Sequence, residues 1–269
     1  MIIFKSINRL NKEVNFKANI GFVPTMGALH KGHFSLIKSS KKKCKKTLVS
    51  IFVNPSQFNK KNDYKNYPRN LKRDIKILKI LKVDYLLIPK INEIYKNKKT
   101  MKIKLNKKDK ILCVKYRPGH FEGVLAIINQ FLINIKAKFM FLGEKDYQQI
   151  HLLKKFIKSK FKTKIIPCKT VRLNNSLAYS SRNFLLSKNE IQKASLISNS
   201  VRSFYLSIKK NFRNKNNINE IKKNIESKRI KVDYFELRNK KNLSKKIDKN
   251  NFKIFIAYYI NNIRLIDNF

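Results

Sequence analysis

The stretch GFVPTMGALHKGHFSLI, residues 21–37, reads as a strand, a tight turn and the start of a helix. Its first part belongs to the apolar run IGFVPT (20–25), closed by Pro24 and the polar turn that follows. Gly27 and Gly32 let backbone approach a ligand closely. A helix beginning near Lys31 sets His30 and His33 around its first turn. There, free N–H groups and the helix dipole favour phosphate. Two imidazoles in that place can donate to phosphate oxygens and stabilise charge on a leaving group. The chain has 4 His, and two of them sit in this one turn.

Outward from this stretch the same alternation continues. TLVSIFV (47–53), VDYLLIP (83–89), KFMFLG (138–143) and TKIIPC (163–168) read as buried strands. Between them, Leu71, Ile75, Leu78 and Leu81 recur at helical spacing, as do Val124, Ile127, Ile128, Phe131 and Ile135. Strand–helix alternation predicts an α/β fold, a Rossmann-like and mostly parallel sheet with helices on both faces. Ligands of such sheets sit beyond the carboxyl ends of the strands. After about residue 170 the texture changes. A helical stretch (187–210) leads into the polar run 209–229, which reads as a loop, a solvated helix or both. IKVDYFELRN (230–239), FKIFIAYYI (252–260) and IRLID (263–267) then read as strands. The expected division is residues 1–170 and a smaller α+β C-terminal domain, 171–269, covering the active site.

Composition narrows the function classes. At 269 residues and 42% hydrophobic, the chain buries a real core. No run approaches the ~18 apolar residues of a membrane span. The start, MIIFKSINRL, lacks the pattern of a secretory signal, so a cytoplasmic location is expected. Cys44, Cys113 and Cys168 show neither pairing nor ligand spacing and read as inert reduced thiols. The formal charge is +47, which would attract nucleic acid or an anionic membrane. But the 63 basic residues are 52 Lys and 11 Arg, spread along the whole chain, and Asn, Ile, Phe and Tyr are abundant too. That pattern points to an A/T-biased genome with Lys on solvated faces, and neither nucleic acid nor membrane is expected as a partner.

The H-x-G-H of residues 30–33 resembles the nucleotidyl-transferring superfamily of adenylyltransferases and class I aminoacyl-tRNA synthetases. The surrounding segments narrow the resemblance. PTMGALHKGH, VSIFVNPSQF (49–58), YPR (67–69), RPGHFEGV (117–124), FLGEKDYQQ (141–149), SSRN (180–183) and IRLIDN (263–268) stand in the order of the pantothenate synthetase family. The resemblance covers nearly the whole chain. It implies ATP-dependent joining of pantoate to β-alanine through a pantoyl adenylate, with release of AMP and pyrophosphate. It also implies Mg²⁺ with the nucleotide and a homodimer.

Carried over residue by residue, the resemblance implies that ATP meets Met26, Gly27, Ala28, Leu29, His30, Lys31, Gly32 and His33, with His30 and His33 catalytic. It adds Gly143, Glu144, Lys145, Asp146, Val171, Tyr179, Ser180, Ser181 and Arg182. Lys145 can neutralise phosphate; Asp146 can accept from ribose hydroxyls or orient Lys145. Arg182, always protonated and forked, suits pyrophosphate. SSRN also reads as a helix N-cap, and Ser181 could do both jobs. Gln57 and Gln149 are implied to contact pantoate, and Gln57 also β-alanine; amides read a hydroxy acid without quenching its carboxylate. Asp74 resembles a position near the metal, although a solvent-facing helix Asp would look the same. His120 is expected to shape a turn and the pocket wall, and Arg117 to help hold the cover. One departure lies in the run Arg172, Leu173, Asn174, Asn175, Ser176, Leu177, Ala178, where the family has an acidic residue after the Arg and then Asp-Gly before Leu-Ala; Asn tolerates left-handed backbone, so the turn is expected to survive. Two alternatives remain. Another H-x-G-H adenylyltransferase explains the histidines and SSR but not Gln57 with Gln149. A Lys-rich nucleic-acid-binding protein explains only the charge.

Overall fold

A computed structural model describes residues 1–95, 103–174 and 176–269. Its strands run β1 (Ile2–Phe4), β2 (Ile20–Thr25), β3 (Lys46–Ile51), β4 (Tyr85–Leu87), β5 (Phe139–Gly143), β6 (Lys164–Cys168), β7 (Val232–Asn239), β8 (Phe252–Ile260) and β9 (Ile263–Asn268). The main helices are α1 (Ile7–Glu13), α2 (Lys31–Lys43), α3 (Leu71–Ile80), α4 (His120–Asn134), α5 (Tyr147–Lys158), α6 (Lys188–Lys210) and α7 (Ile218–Glu226). The chain divides into two compact units, Met1–Glu144 with Gln149–Lys169, and Lys145–Gln148 with Thr170–Phe269.

In the first unit six strands form one sheet in the order β1-β4-β3-β2-β5-β6, every pairing parallel. The α/β expectation holds. The chain steps from β2 to β3 and β4 on one side, then returns to β5 and β6 on the other. The topological switch point is therefore the carboxyl end of β2 beside β5, where crevices form in such sheets. The strand near 83–89 shortens to three residues, and β1, too short to show a period, is an edge addition that periodicity does not reveal. Val23, Leu29, Ile37, Val49, Leu78 and Phe141 belong to the core of this unit and are fully buried. Burying each such side chain stabilises by roughly 1.5–3 kcal/mol.

The second unit carries an antiparallel sheet, β7-β8-β9, with a bulge between Val232 and Tyr234. One face packs on α6, and Ala194, Ile197, Val201, Phe204 and Ile208 recur on the buried stripe of that helix. The polar run 209–229 is mostly helical. Ile218, Ile221 and Ile225 form an apolar edge against the same core, which a count of charges conceals. Among the described residues no helix is long and apolar enough to cross a membrane. The three cysteines are buried and form no disulfide with one another, and burial pushes the Cys44 and Cys168 thiols up, consistent with inert thiols.

Candidate active site

The turn after β2 is built by residues on three sides. Thr25 donates its hydroxyl to the Ser50 carbonyl at 2.8 Å and accepts the Gly27 N–H at 3.2 Å. Gly27 has φ +78°, and a Cβ there would lie 3.0 Å from Asp74 Oδ2 and 3.2 Å from Ile51. Ala28 follows at φ +49°, a left-handed conformation that costs a residue with a Cβ on the order of 1 kcal/mol. Something must hold it, and that is Asp74. Its Oδ2 accepts the Ala28 N–H and its Oδ1 the Leu29 N–H, both at 2.8 Å. Arg73, beside it on α3, donates to the Leu29 carbonyl at 3.1 Å.

The turn delivers His30 as the N-cap of α2. His30 Nδ1 accepts the Gly32 N–H at 3.1 Å, and His33 Nδ1 accepts the His30 N–H at 3.4 Å. These bonds assign the proton of each neutral imidazole to Nε2, so each ring carries an N–H donor on its other nitrogen. The ring centroids are 4.1 Å apart. Both rings stand at the N-terminus of α2, an arrangement suited to phosphate.

Gln57 lies in the short turn Pro55–Gln57 after β3 and is buried. Asn54 organises this turn. Its Oδ1 accepts from the Ser56 N–H and hydroxyl at 3.3 and 3.1 Å and from the Tyr95 hydroxyl at 2.5 Å. Its Nδ2 donates to the Gly123 carbonyl on α4 at 3.1 Å. Gly123 lets α4 approach this closely, since a Cβ there would overlap the Ser56 carbonyl oxygen. His120 Nδ1 meets the Gln57 carbonyl at 2.6 Å, Arg117 donates to the same oxygen at 3.3 Å, and Arg117 also reaches His120 Nε2 at 3.0 Å. His120 thus braces the backbone of Gln57. The Gln57 amide in turn reaches Met26 Sδ, joining this turn to the one before α2. Gln149 is half-buried in the first turns of α5. A cavity of about 660 Å³ borders Met26, Gly27 and Asp74, but neither histidine and neither glutamine lines it.

Gly143 ends β5 at the switch point, and the chain continues into the turn Glu144–Asp146. Lys145 Nζ lies 3.5 Å from Asp146 Oδ1. Within the second unit, Arg172 and Ala178 pair as an isolated bridge, and Tyr179 N–H donates to the Val171 carbonyl at 3.0 Å. This short hairpin leads into Ser180–Arg182. The N-cap there is Ser180, whose hydroxyl accepts the Arg182 N–H at 3.2 Å, rather than Ser181, which is buried in the first position of the Ser181–Leu185 turn. Among the described residues of the hairpin the left-handed one is Ser176, at φ +71°, and Asn175 lies outside the described residues.

Asp74 is not the solvent-facing acid its helix position permits. It is 1% exposed, with one backbone N–H on each oxygen. Burial pushes its carboxyl pKa up, opposed by the Leu29 and Ala28 amides and by Arg73. Those contacts define a brace for the turn. Among the described residues no group of three or more His, Cys, Asp or Glu could hold a metal ion. Sequence reasoning missed Asn54 and the brace by Asp74. A partial signal existed for Asn54, since Asn before Pro commonly starts a turn; the Asp74 brace spans 46 residues and has none.

The parallel sheet, with a histidine-capped helix start at its switch point, defines a Rossmann-like α/β protein. The family model for Pantoate-beta-alanine ligase matches residues 2–269. Pantothenate synthetase of Francisella tularensis subsp. novicida (strain U112) is 42% identical over 100% of this chain and 97% of its own. The crystal structure of the Francisella tularensis pantoate-beta-alanine ligase, complexed with beta-gamma ATP and beta-alanine, superposes with a TM-score of 0.87 at 39% identity, covering 100% and 97% of the two chains. The pantothenate synthetase of Thermus thermophilus gives a TM-score of 0.91 at 27% identity, covering 100% and 99%. The chain belongs to the pantoate-beta-alanine ligase family and is an enzyme, a ligase that joins an acid to an amine.

Proposed function

We propose that the chain makes pantothenate from pantoate and β-alanine in two steps at the expense of ATP. In the first, a pantoate carboxylate oxygen attacks the α-phosphorus of ATP, the bond to the bridging oxygen breaks, and pyrophosphate leaves with pantoyl adenylate formed. In the second, the β-alanine amine attacks the acyl carbon, loses a proton, and AMP departs. A free carboxylate is a poor acyl donor because its leaving group would be oxide; AMP is a good one.

The observation that carries this reading is the pair of imidazoles at the start of α2, each with Nδ1 occupied by a backbone N–H. Their Nε2–H groups donate to phosphate oxygens as negative charge shifts toward pyrophosphate. Lys145, Ser180, Ser181 and Arg182 supply further phosphate contacts, and Val171, Gly143 and Asp146 serve the nucleoside. Gln57 and Gln149 read pantoate, with Gln57 also serving β-alanine. The named Francisella tularensis complex, with a nucleotide and beta-alanine bound, supports both ligands. Any Mg²⁺ would accompany the phosphates of ATP, and no step here is assigned to it.

The test is exchange of labelled pyrophosphate into ATP. It should require pantoate and proceed without β-alanine, because the adenylate precedes the amine. Formation of pantothenate with no exchange would overturn the two-step scheme. A different adenylyltransferase would show exchange that ignores pantoate.

A further inference from the structure

The end of the chain, IRLIDN (263–268), has no part in the chemistry above, yet Asp267 and Asn268 are 6% and 4% exposed. Buried polar side chains are costly unless they are bonded, so their partners identify their work. Both are fixed by β9: Asp267 is opposite Ile256 and Asn268 opposite Phe255 on β8. Phe269 and Ile254 close the ladder with a mutual pair of bonds at 3.1 and 3.2 Å.

From that fixed edge each side chain reaches a different loop of the second unit. Asp267 takes a two-pronged contact from Arg172, Nη1 to Oδ2 at 2.7 Å and Nη2 to Oδ1 at 2.9 Å. Arg172 also donates to the Ser176 and Asn268 carbonyls, both at 2.9 Å, and its guanidinium lies 4.2 Å from the centroid of Phe269. Ser198 donates to Asp267 Oδ2 and the Ser176 carbonyl. The hairpin that presents Val171 and Tyr179–Arg182 is thus anchored at Arg172 and at the Ser176 carbonyl of its turn. Asn268 donates from Nδ2 to the Lys145 carbonyl at 2.9 Å and accepts Lys253 Nζ at 2.8 Å. Tyr147, two residues on, donates to the Lys240 carbonyl at 2.8 Å and packs edge-on against Phe255.

We infer that Asp267 and Asn268 are positioning residues for nucleotide binding. One rigid strand end aims two separate loops, Asp267 the Val171–Arg182 hairpin through Arg172, and Asn268 the backbone from which Lys145 projects. The two-pronged fork sets angle as well as distance. The inference rests on the reading that Lys145 and Arg182 meet the phosphates of ATP.

The test uses the full chain with Asn268→Asp and Asp267→Asn. Asn268→Asp retains an acceptor for Lys253 but turns a carboxylate toward the Lys145 carbonyl. Steady-state KM values are measured for ATP, pantoate and β-alanine, with thermal unfolding alongside. The expected result is an about tenfold rise in KM for ATP in each variant, the scale of one weakened hydrogen bond to a charged group. KM for pantoate and β-alanine should stay within about twofold, since their candidate side chains lie in the other unit. Lower maximal rate with all three KM values unchanged would show a purely structural role and overturn the inference. Lys145→Ala separates it from the underlying reading. If Lys145→Ala impairs ATP use and Asn268→Asp does not, the inference fails and the reading stands. If Lys145→Ala leaves ATP use intact, the phosphate role of Lys145 fails first.

Discussion

The Asp74 carboxylate accepts the Leu29 N–H at 2.8 Å across 45 residues of sequence, and its other oxygen takes the neighbouring Ala28 amide. A residue of α3 thereby shapes the turn that delivers His30 and His33. An Asn in its place can offer one acceptor but turns an amide N–H toward the other backbone donor. Asp74→Asn should therefore lower pantoate-dependent pyrophosphate exchange by about tenfold or more and cost about 1–3 kcal/mol at the unpaired amide. Exchange rates and denaturant unfolding check the two parts.

The same pair predicts a pH dependence. Burial raises the Asp74 pKa in the folded state, so within the window above the ordinary carboxylate value the folded chain binds the extra proton. Wild-type stability relative to Asp74→Asn should fall as pH rises through that window and then level off. A difference that grew with rising pH would show that the amide bonds, and not burial, dominate the carboxyl.

His30 combines a cap with a donor, and the two can be separated. Asn caps a helix as well as His does, but its amide does not reproduce the Nε2–H donor on the far side of the ring. His30→Asn should hold thermal stability close to wild type while adenylate formation falls by ~10²–10³ fold. His30→Ala should lose both, with about 0.5–2 kcal/mol of stability gone. Equal activity in the Asn variant and wild type would remove His30 from the chemistry.

Gly123 controls the seat of Gln57. An added methyl would overlap the Ser56 carbonyl oxygen, so the helix or the turn must move. Gly123→Ala should raise KM for pantoate severalfold and cost about 1–3 kcal/mol, while ATP affinity by calorimetry stays near wild type. Gln57→Ala should show the same split without the loss of stability.

The surplus charge should be dispensable. Lys209, Lys210 and Lys223 are exposed; Lys215 lies over the Phe212 ring and Lys222 pairs with Glu226 at 3.6 Å. Exposed pairs of this kind contribute at most about 1 kcal/mol. Neutralising all five should leave kcat/KM within about threefold at physiological salt, where exposed charges beyond ~8 Å are screened. Lys145→Ala alone should reduce it far more. The reverse ranking would make the charge functional.

The sequence by itself determined the parallel sheet, the strand–turn–helix at 20–43 and the place of His30 and His33 at a helix start. Those depend on local period, on glycine at Gly27 and on a helix start at Lys31, all legible within a few residues. It did not determine the three-residue edge strand Ile2–Phe4, which is shorter than any hydrophobic period. Nor did it mark the apolar edge of Ile218, Ile221 and Ile225, which shows only once a core exists to receive it. The tertiary structure alone decided how the site is held. Asp74 under Ala28, Gly123 against Ser56 and Asp267 on Arg172 join positions 46, 67 and 95 residues apart. The reason is physical: a side chain's burial and partners are set by what the folded chain brings beside it. An aspartate on a helix reads the same whether it faces water or, as Asp74 does, two backbone amides.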